Sequence, residues 1–139
     1  MDKLFKLEII TPEQSIFKGE VVSVIVPAYE GYLGVLAGHA PFVCSLTAGE
    51  IITRGEGSNR CWSVGGGLME VVSGQVTILS ESAERSEQID VNRAEQARQR
   101  ALKRIYHPEP DINLPRAMNS LLRAENRIRF STKHQESIK

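Results

Sequence analysis

Phe5, Leu7 and Ile9 alternate with Lys6 and Glu8, the period-two pattern of a strand with one buried face. Thr11-Pro12 closes that segment. Residues 21–26 are β-branched at almost every position and run into Pro27, which predicts a strand covered on both faces and ended by the proline. Further strands are predicted at 34–36, 42–46, 50–53, 61–64, 68–72 and 75–80, separated by glycine-rich turns. So many short, closely spaced strands predict an antiparallel sandwich or barrel. No segment of helical period interrupts them, which argues against a βαβ nucleotide-binding fold.

Around Ser86 the pattern changes. Asp90 is a good N-cap ahead of Val91, and the next fifteen or so residues are rich in Ala, Arg, Gln, Leu and Lys. Ala94, Ala97, Ala101 and Ile105 make one apolar stripe. Pro108 and Pro110 predict a turn. A second helix is predicted from about Leu114, capped by Asn113, with Pro115 in its first turn, where a missing N–H costs little. Ala117, Leu121, Ala124 and Ile128 form its stripe. Two helices of four to five turns joined by a short loop make a hairpin.

The two helices repeat each other. Residues 89–94 (Ile-Asp-Val-Asn-Arg-Ala) match 112–117 (Ile-Asn-Leu-Pro-Arg-Ala) at an offset of 23, and Arg100, Ala101 and Arg104 match Arg123, Ala124 and Arg127. Such a repeat predicts related faces turned toward each other or toward a shared ligand.

Charge divides the chain at the same place. Residues 1–87 carry 6 Lys and Arg against 11 Asp and Glu, a balance of −5, and residues 88–139 carry 11 against 6, a balance of +5. A basic tail on an acidic body predicts an anionic partner for the tail, or the body itself. Residues 31–49 are 19 without formal charge, but four glycines, Pro41 and His39 break them up, so no spanning helix is predicted. No leader-type segment is predicted at the start, and the chain reads as soluble. Cys44 and Cys61 have no metal or redox spacing and are expected to be reduced, small core residues. His39, His107 and His134 are too scattered for a local metal site, and no metal is expected.

Positions seven and eleven apart on a helix lie within about 20° of the first, so Arg93, Arg100 and Arg104 share a face of one helix and Arg116, Arg123 and Arg127 a face of the other. Folded as a hairpin, these guanidinium groups could converge on a polyphosphate, whose oxygens match their forked donors. Alternatively they pair with Glu95 and Glu125, or simply solvate the helices. Gly65-Gly66-Gly67 lacks the Lys-Ser/Thr of a P-loop and reads as a bulge or a close approach of backbones. No nucleophile, base and oxyanion donor can be assembled, so no catalytic residue is expected. A nucleic-acid-binding hairpin is a competing reading, but Tyr106 and Phe130 are the only aromatic residues there for stacking. A free-standing ATP sensor is another.

Several segments also resemble the epsilon subunit family of bacterial F-type ATP synthases. They are Thr11-Pro12-Glu13 with Phe17; residues 30–41 (Glu-Gly-Tyr-Leu-Gly-Val-Leu-Ala-Gly-His-Ala-Pro); residues 63–71; residues 76–79; Ala83-Glu84-Arg85; and residues 89–94. The order is the family's own, across nearly the whole chain. The resemblance implies a mainly β plus α fold: an antiparallel ten-stranded β-sandwich at 1–86 that binds the rotor, then a regulatory helical hairpin at 87–139. It implies a non-catalytic rotor subunit of the central stalk that helps couple proton flow to ATP synthesis. Implied partners are the gamma subunit, the c-subunit ring and the alpha/beta catalytic head. The implied location is peripheral, on the cytoplasmic face of the bacterial plasma membrane, reached only through the complex.

By the same resemblance, Glu30, Gly31, Tyr32 and His39 lie near the contact with the rotor ring. The hairpin resembles one that folds against the sandwich or extends along gamma, where it inhibits ATP hydrolysis. No cofactor is required, but some members bind ATP as a regulatory ligand. Carried over by position, the ATP ligands are Glu84, Ile89, Asp90, Arg93, Ala94, Arg100, Arg123 and Arg127. The arginines face the phosphates, and Asp90 with its neighbouring backbone faces the adenine. ATP bound only to the folded hairpin would draw the population away from the inhibitory form. The chain departs from the family pattern at Ala28-Tyr29 and Ala37, and Pro108, Pro110 and Pro115 oppose one continuous helix across the turn.

Overall fold

The computed structural model of the chain describes residues 3–138, with side chains as far as His134. Two compact units are present, Met1–Glu84 and Arg85–Lys139.

The first unit is built from eight strands: β1 (Phe5–Ile10), β2 (Ser15–Val21), β3 (Ser23–Ala28), β4 (Gly31–Leu36), β5 (Phe42–Arg54), β6 (Asn59–Val72), β7 (Gln75–Ser80) and β8 (Ala83–Glu84). They hydrogen-bond in the order β2-β1-β7-β6-β5-β3-β4, with β8 on β6. All pairings are antiparallel except that of β1 with β7, which is parallel. The sheet wraps over a core that includes Leu7, Ile9, Val24, Val26, Ile51, Met69 and Ile78, all essentially inaccessible.

Among the described residues the count is eight strands, not the ten that the resemblance implied. The segments expected at 42–46 and 50–53 are one 13-residue strand, and those at 61–64 and 68–72 are one of 14 residues. β5 keeps β6 beside it from Phe42 to Arg54, and β6 changes its other neighbour along its length instead of stopping. β6 pairs with β8 at Ser63 and Val64 and with β7 from Gly67 onward. The three glycines at 65–67 occupy that crossover. Gly67 has φ +151°, and a β-carbon there would overlap the carbonyl oxygen of Leu79. The backbone approach expected of these glycines is therefore present.

Residues 21–26 do not form a single two-faced strand. The chain turns at Val22, whose N–H donates to the Arg54 carbonyl at 2.7 Å, and β3 starts at Ser23. Val24 and Val26 are fully buried while Ile25 is 38% exposed, so one face alone is covered. Nor does Pro27 end the strand. The ladder to β5 is broken between Ile25 and Ala28, so the residue without an N–H sits where a bond is already missing. Cys44 and Cys61 are half-buried and unbridged rather than core.

The second unit opens with a 3-10 turn, Ser86–Gln88, in which Gln88 N–H donates to the Arg85 carbonyl at 2.9 Å and Gln88 Oε1 accepts from Arg85 N–H at 2.9 Å. Then come α1 (Val91–Tyr106) and α2 (Leu114–Ile138), packed as a hairpin. The caps are those expected. Asp90 Oδ1 accepts from Arg93 N–H at 3.0 Å, and Asn113 Oδ1 accepts from Arg116 N–H at 3.1 Å. At 25 residues, α2 has about seven turns rather than the four or five expected. Beyond Pro115 its sequence contains no glycine or proline that would stop it. No helix among the described residues is long and apolar enough to cross a membrane.

Candidate functional site

The buried stripe of the hairpin is made of alanines at repeat positions, Ala94 and Ala101 on α1 and Ala117 and Ala124 on α2. Because both helices use equivalent residues to pack, their antiparallel pairing approximates a two-fold axis perpendicular to the plane of the hairpin. Such an axis keeps equivalent flanking positions on the same broad face. Arg93, Arg100 and Arg104 lie roughly 80–120° to one side of Ala94, and Arg116, Arg123 and Arg127 lie equally far to the same side of Ala117. All six therefore emerge toward one face. Glu95 and Glu125 lie roughly 80–100° to the other side, on the opposite face.

That separation explains the observed ion pairs. Arg98 Nη1 donates to Glu95 Oε1 at 2.9 Å, and its Nε lies 4.0 Å from Glu125 Oε1. Gln99 Nε2 donates to the same Glu95 oxygen at 2.9 Å. Hydrogen bonding from Gln99, reinforced by Arg98, holds the Glu95 carboxyl below its ordinary pKa. The alternative in which Glu95 and Glu125 pair with the arginines of that face does not hold, and their partner, Arg98, was not among the expected ones. The signal was available, since Arg98 is three residues from Glu95 and on its side of the stripe.

Arg98 opposite Glu125 also sets the register of the hairpin. Arg100 and Arg123 stand at one level, each two residues nearer the turn. Arg127 lies roughly 6 Å and Arg93 roughly 10 Å further from the turn along the axis. Arg93 and Arg100 are exposed, while Arg123 and Arg127 are half-buried. Arg123 Nη2 donates to Ser120 Oγ at 3.2 Å, and that hydroxyl donates to the Arg116 carbonyl at 2.9 Å. Ala94 is buried in the stripe and Ile89 is buried just after the 3-10 turn. The Asp90 side chain is engaged as a helix cap. Glu84 belongs to the other unit, at the end of β8, where it pairs with Ser63.

In the first unit, Glu30, Gly31 and Tyr32 form the exposed turn from β3 to β4, with Gly31 at φ +136°. Tyr29 and Tyr32 are 82% and 60% exposed, and the turn borders a cavity of about 750 Å3 that also takes in Cys44 and Ser45. Tyr32 reaches back over Gly49, where its hydroxyl accepts from Glu50 N–H at 3.1 Å. His39 lies in the exposed β4–β5 connection; its Nδ1 is 2.9 Å from the Ala40 carbonyl and its ring is 4.8 Å from that of Phe42. Burial pushes the Cys44 thiol pKa up.

A β-sandwich followed by a basic helical pair, each with its own exposed surface, is the build of a two-domain protein. Comparison with known proteins bears this out: residues 4–86 match the family model for the β-sandwich domain of the ATP synthase delta/epsilon chain, and residues 87–132 match that for its long alpha-helix domain. The chain is 45% identical over 124 residues to the ATP synthase epsilon chain of Moorella thermoacetica, covering 88% of this chain and 92% of the relative. It is 41% identical over 132 residues to that of Bacillus pumilus, covering 94% and 99%. A chain in the mitochondrial ATP synthase structure of Euglena gracilis (OSCP/F1/c-ring, rotational state 1) superimposes with a TM-score of 0.76 at 25% identity, over 88% of this chain and 78% of that one. A chain in the Tetrahymena thermophila central stalk and c-ring shares the fold, at 13% identity and a TM-score of 0.57 over 93% and 94% of the two chains. The protein belongs to the epsilon-chain family of the F-type ATP synthase.

Proposed function

We propose that this chain is a non-catalytic subunit of the rotor, seated on gamma and the c ring at the cytoplasmic face of the membrane, whose helical hairpin binds ATP and governs inhibition of hydrolysis. The phosphates are received by Arg93, Arg100, Arg123 and Arg127. The Asp90 cap and its neighbouring backbone, with Ile89 and Ala94, face the adenine. Six arginines directed to one face repel each other, and a polyphosphate lowers that cost. The observation that carries this reading is the geometry of the repeat, which sends six arginines to one face of the hairpin while Arg98 engages Glu95 and Glu125 on the other. ATP bound to the closed hairpin alone shifts the population away from an extended, inhibitory form, adding about 1.4 kcal/mol for each tenfold excess over the dissociation constant. On the sandwich, the Glu30-Gly31-Tyr32 turn and His39 meet the c ring, which suits two exposed tyrosines beside an open cavity.

Calorimetric titration of the isolated chain with ATP tests the nucleotide site. Saturable binding that is lost in Arg123→Ala is the expected result. Absence of heat at millimolar ATP would remove the nucleotide role while leaving the rotor role. For regulation, a chain ending at Glu87 should relieve inhibition of hydrolysis in the assembled enzyme, and unchanged hydrolysis would count against it.

A further inference from the structure

At the closed end of the hairpin lies a cavity of about 410 Å3 that the reading above does not use. α1 supplies one wall with Arg100, Lys103 and Arg104, His107 caps that helix, and the turn supplies the other wall with Glu109, Asp111 and Ile112. Among the described residues, none of the charged side chains around it forms an ion pair, although cations and carboxylates share the same small space. Carboxylates within the cavity that leave the cations unpaired are placed to accept a ligand carrying both signs of charge.

The 23-residue repeat says what kind of ligand. Adding 23 to Ile89 gives Ile112, and subtracting 23 from Arg123 and Arg127 gives Arg100 and Arg104. All three results line the cavity. Glu84 maps onto His107, also a lining residue. The pseudo-two-fold axis of the hairpin passes between Arg100 and Arg123, so it carries Arg123 and Arg127 onto Arg100 and Arg104 at the turn; Arg116, the equivalent of Arg93, lies outside the cavity lining. Here histidine stands in place of glutamate and Lys103 adds a cation, while Glu109 and Asp111 bring two carboxylates.

We propose that the turn cavity is a second binding site, for a magnesium-complexed polyphosphate. Arg100, Lys103 and Arg104 hold the phosphate oxygens. Glu109 and Asp111 repel a bare polyanion and favour one whose charge is offset by magnesium, which is commonly held between one or two carboxylates and phosphates. The choice of ligand class rests, through the repeat, on the reading of Arg123 and Arg127 as phosphate ligands. Arg100 borders both sites, so filling one weakens the other.

The test is an NMR titration of the full chain with magnesium pyrophosphate, following the His107 ring and the backbone amides of residues 109–112 separately from those of residues 89–93. Signals at the turn should shift saturably, and the Lys103→Ala/Arg104→Ala double variant should weaken that response tenfold or more. Arg127→Ala should leave the turn response in place while weakening the response at 89–93. Turn signals that do not move, or that move equally in the double variant, overturn the proposal, whatever happens at 89–93. Loss of both responses in Arg127→Ala would also overturn it, by showing a single site. A turn response without one at 89–93 would sustain this site and count against the first. Lys103 and Arg104 are exposed on α1, Arg127 is half-buried on α2, and helical circular dichroism checks that each variant keeps the fold.

Discussion

Arg98 on α1 reaches across the hairpin to Glu125 on α2, Nε to Oε1 at 4.0 Å, while its Nη1 holds Glu95 on its own helix. This one guanidinium gathers both glutamates on the face opposite the six arginines. The hairpin therefore gathers its Arg98–Glu95–Glu125 group on one face and six arginines on the other.

The interhelical pair is more than a third exposed on both sides, so its contribution is small. A double-mutant cycle on Arg98→Ala and Glu125→Ala should give a coupling of about 0.2–1 kcal/mol, reduced by salt. Thermal unfolding followed by circular dichroism measures it, and a coupling of zero would leave the hairpin to its alanine packing.

Glu95 has a folded-state pKa below its ordinary value, first through Gln99 and then through Arg98. A depressed carboxylate contributes stability above its unfolded pKa, and that contribution is lost as the pH falls through the folded one. The hairpin should thus loosen below the usual glutamate range. Glu95→Gln should flatten the acid side of a helicity-against-pH profile; an unchanged profile would assign acid sensitivity to other groups.

Asp90 and Asn113 are equivalent caps, each accepting from the arginine N–H three residues on. Ala at either position should cost about 1 kcal/mol of hairpin stability. Asp90→Asn should keep the cap. If ATP binding falls in Asp90→Asn without loss of helicity, the carboxylate contacts the nucleotide as well as the helix.

Gly67 tolerates no β-carbon, because Leu79's carbonyl oxygen occupies that space and the residue sits at φ +151°. Gly67→Ala should cost more than the roughly 1–3 kcal/mol of backbone strain alone, through a shift of β7 against β6. Gly49→Ala is a second case: its β-carbon would lie 2.5 Å from Pro27 Cβ and 2.9 Å from the Tyr32 hydroxyl. Denaturant midpoints of the two variants measure both effects. Gly38→Ala offers the contrast, with its positive φ but open space around it.

What the sequence determined by itself was whatever depends on neighbours a few residues apart. Asp90 and Asn113 cap because a short acceptor ahead of a helix finds the N–H three residues on, and the alanine stripes follow from helical period. The duplicated arginine face and the change of architecture near Ser86 were legible for the same reason, as was the crowding at the three glycines. Tertiary structure decided what depends on distant partners. Residues 42–54 are one strand because β6 runs beside them from end to end, and residues 59–72 are one because β5 does the same while their other neighbour passes from β8 to β7, which no local signal records. Pro27 stays within β3 because the ladder to β5 is interrupted there. Glu95 and Glu125 belong to Arg98, not to the arginine face, because the hairpin's register and pseudo-symmetry place them on the opposite side. The cavity at the turn likewise exists only once α1 and residues 109–112 are folded against each other, since packing in three dimensions, not spacing in the chain, encloses space.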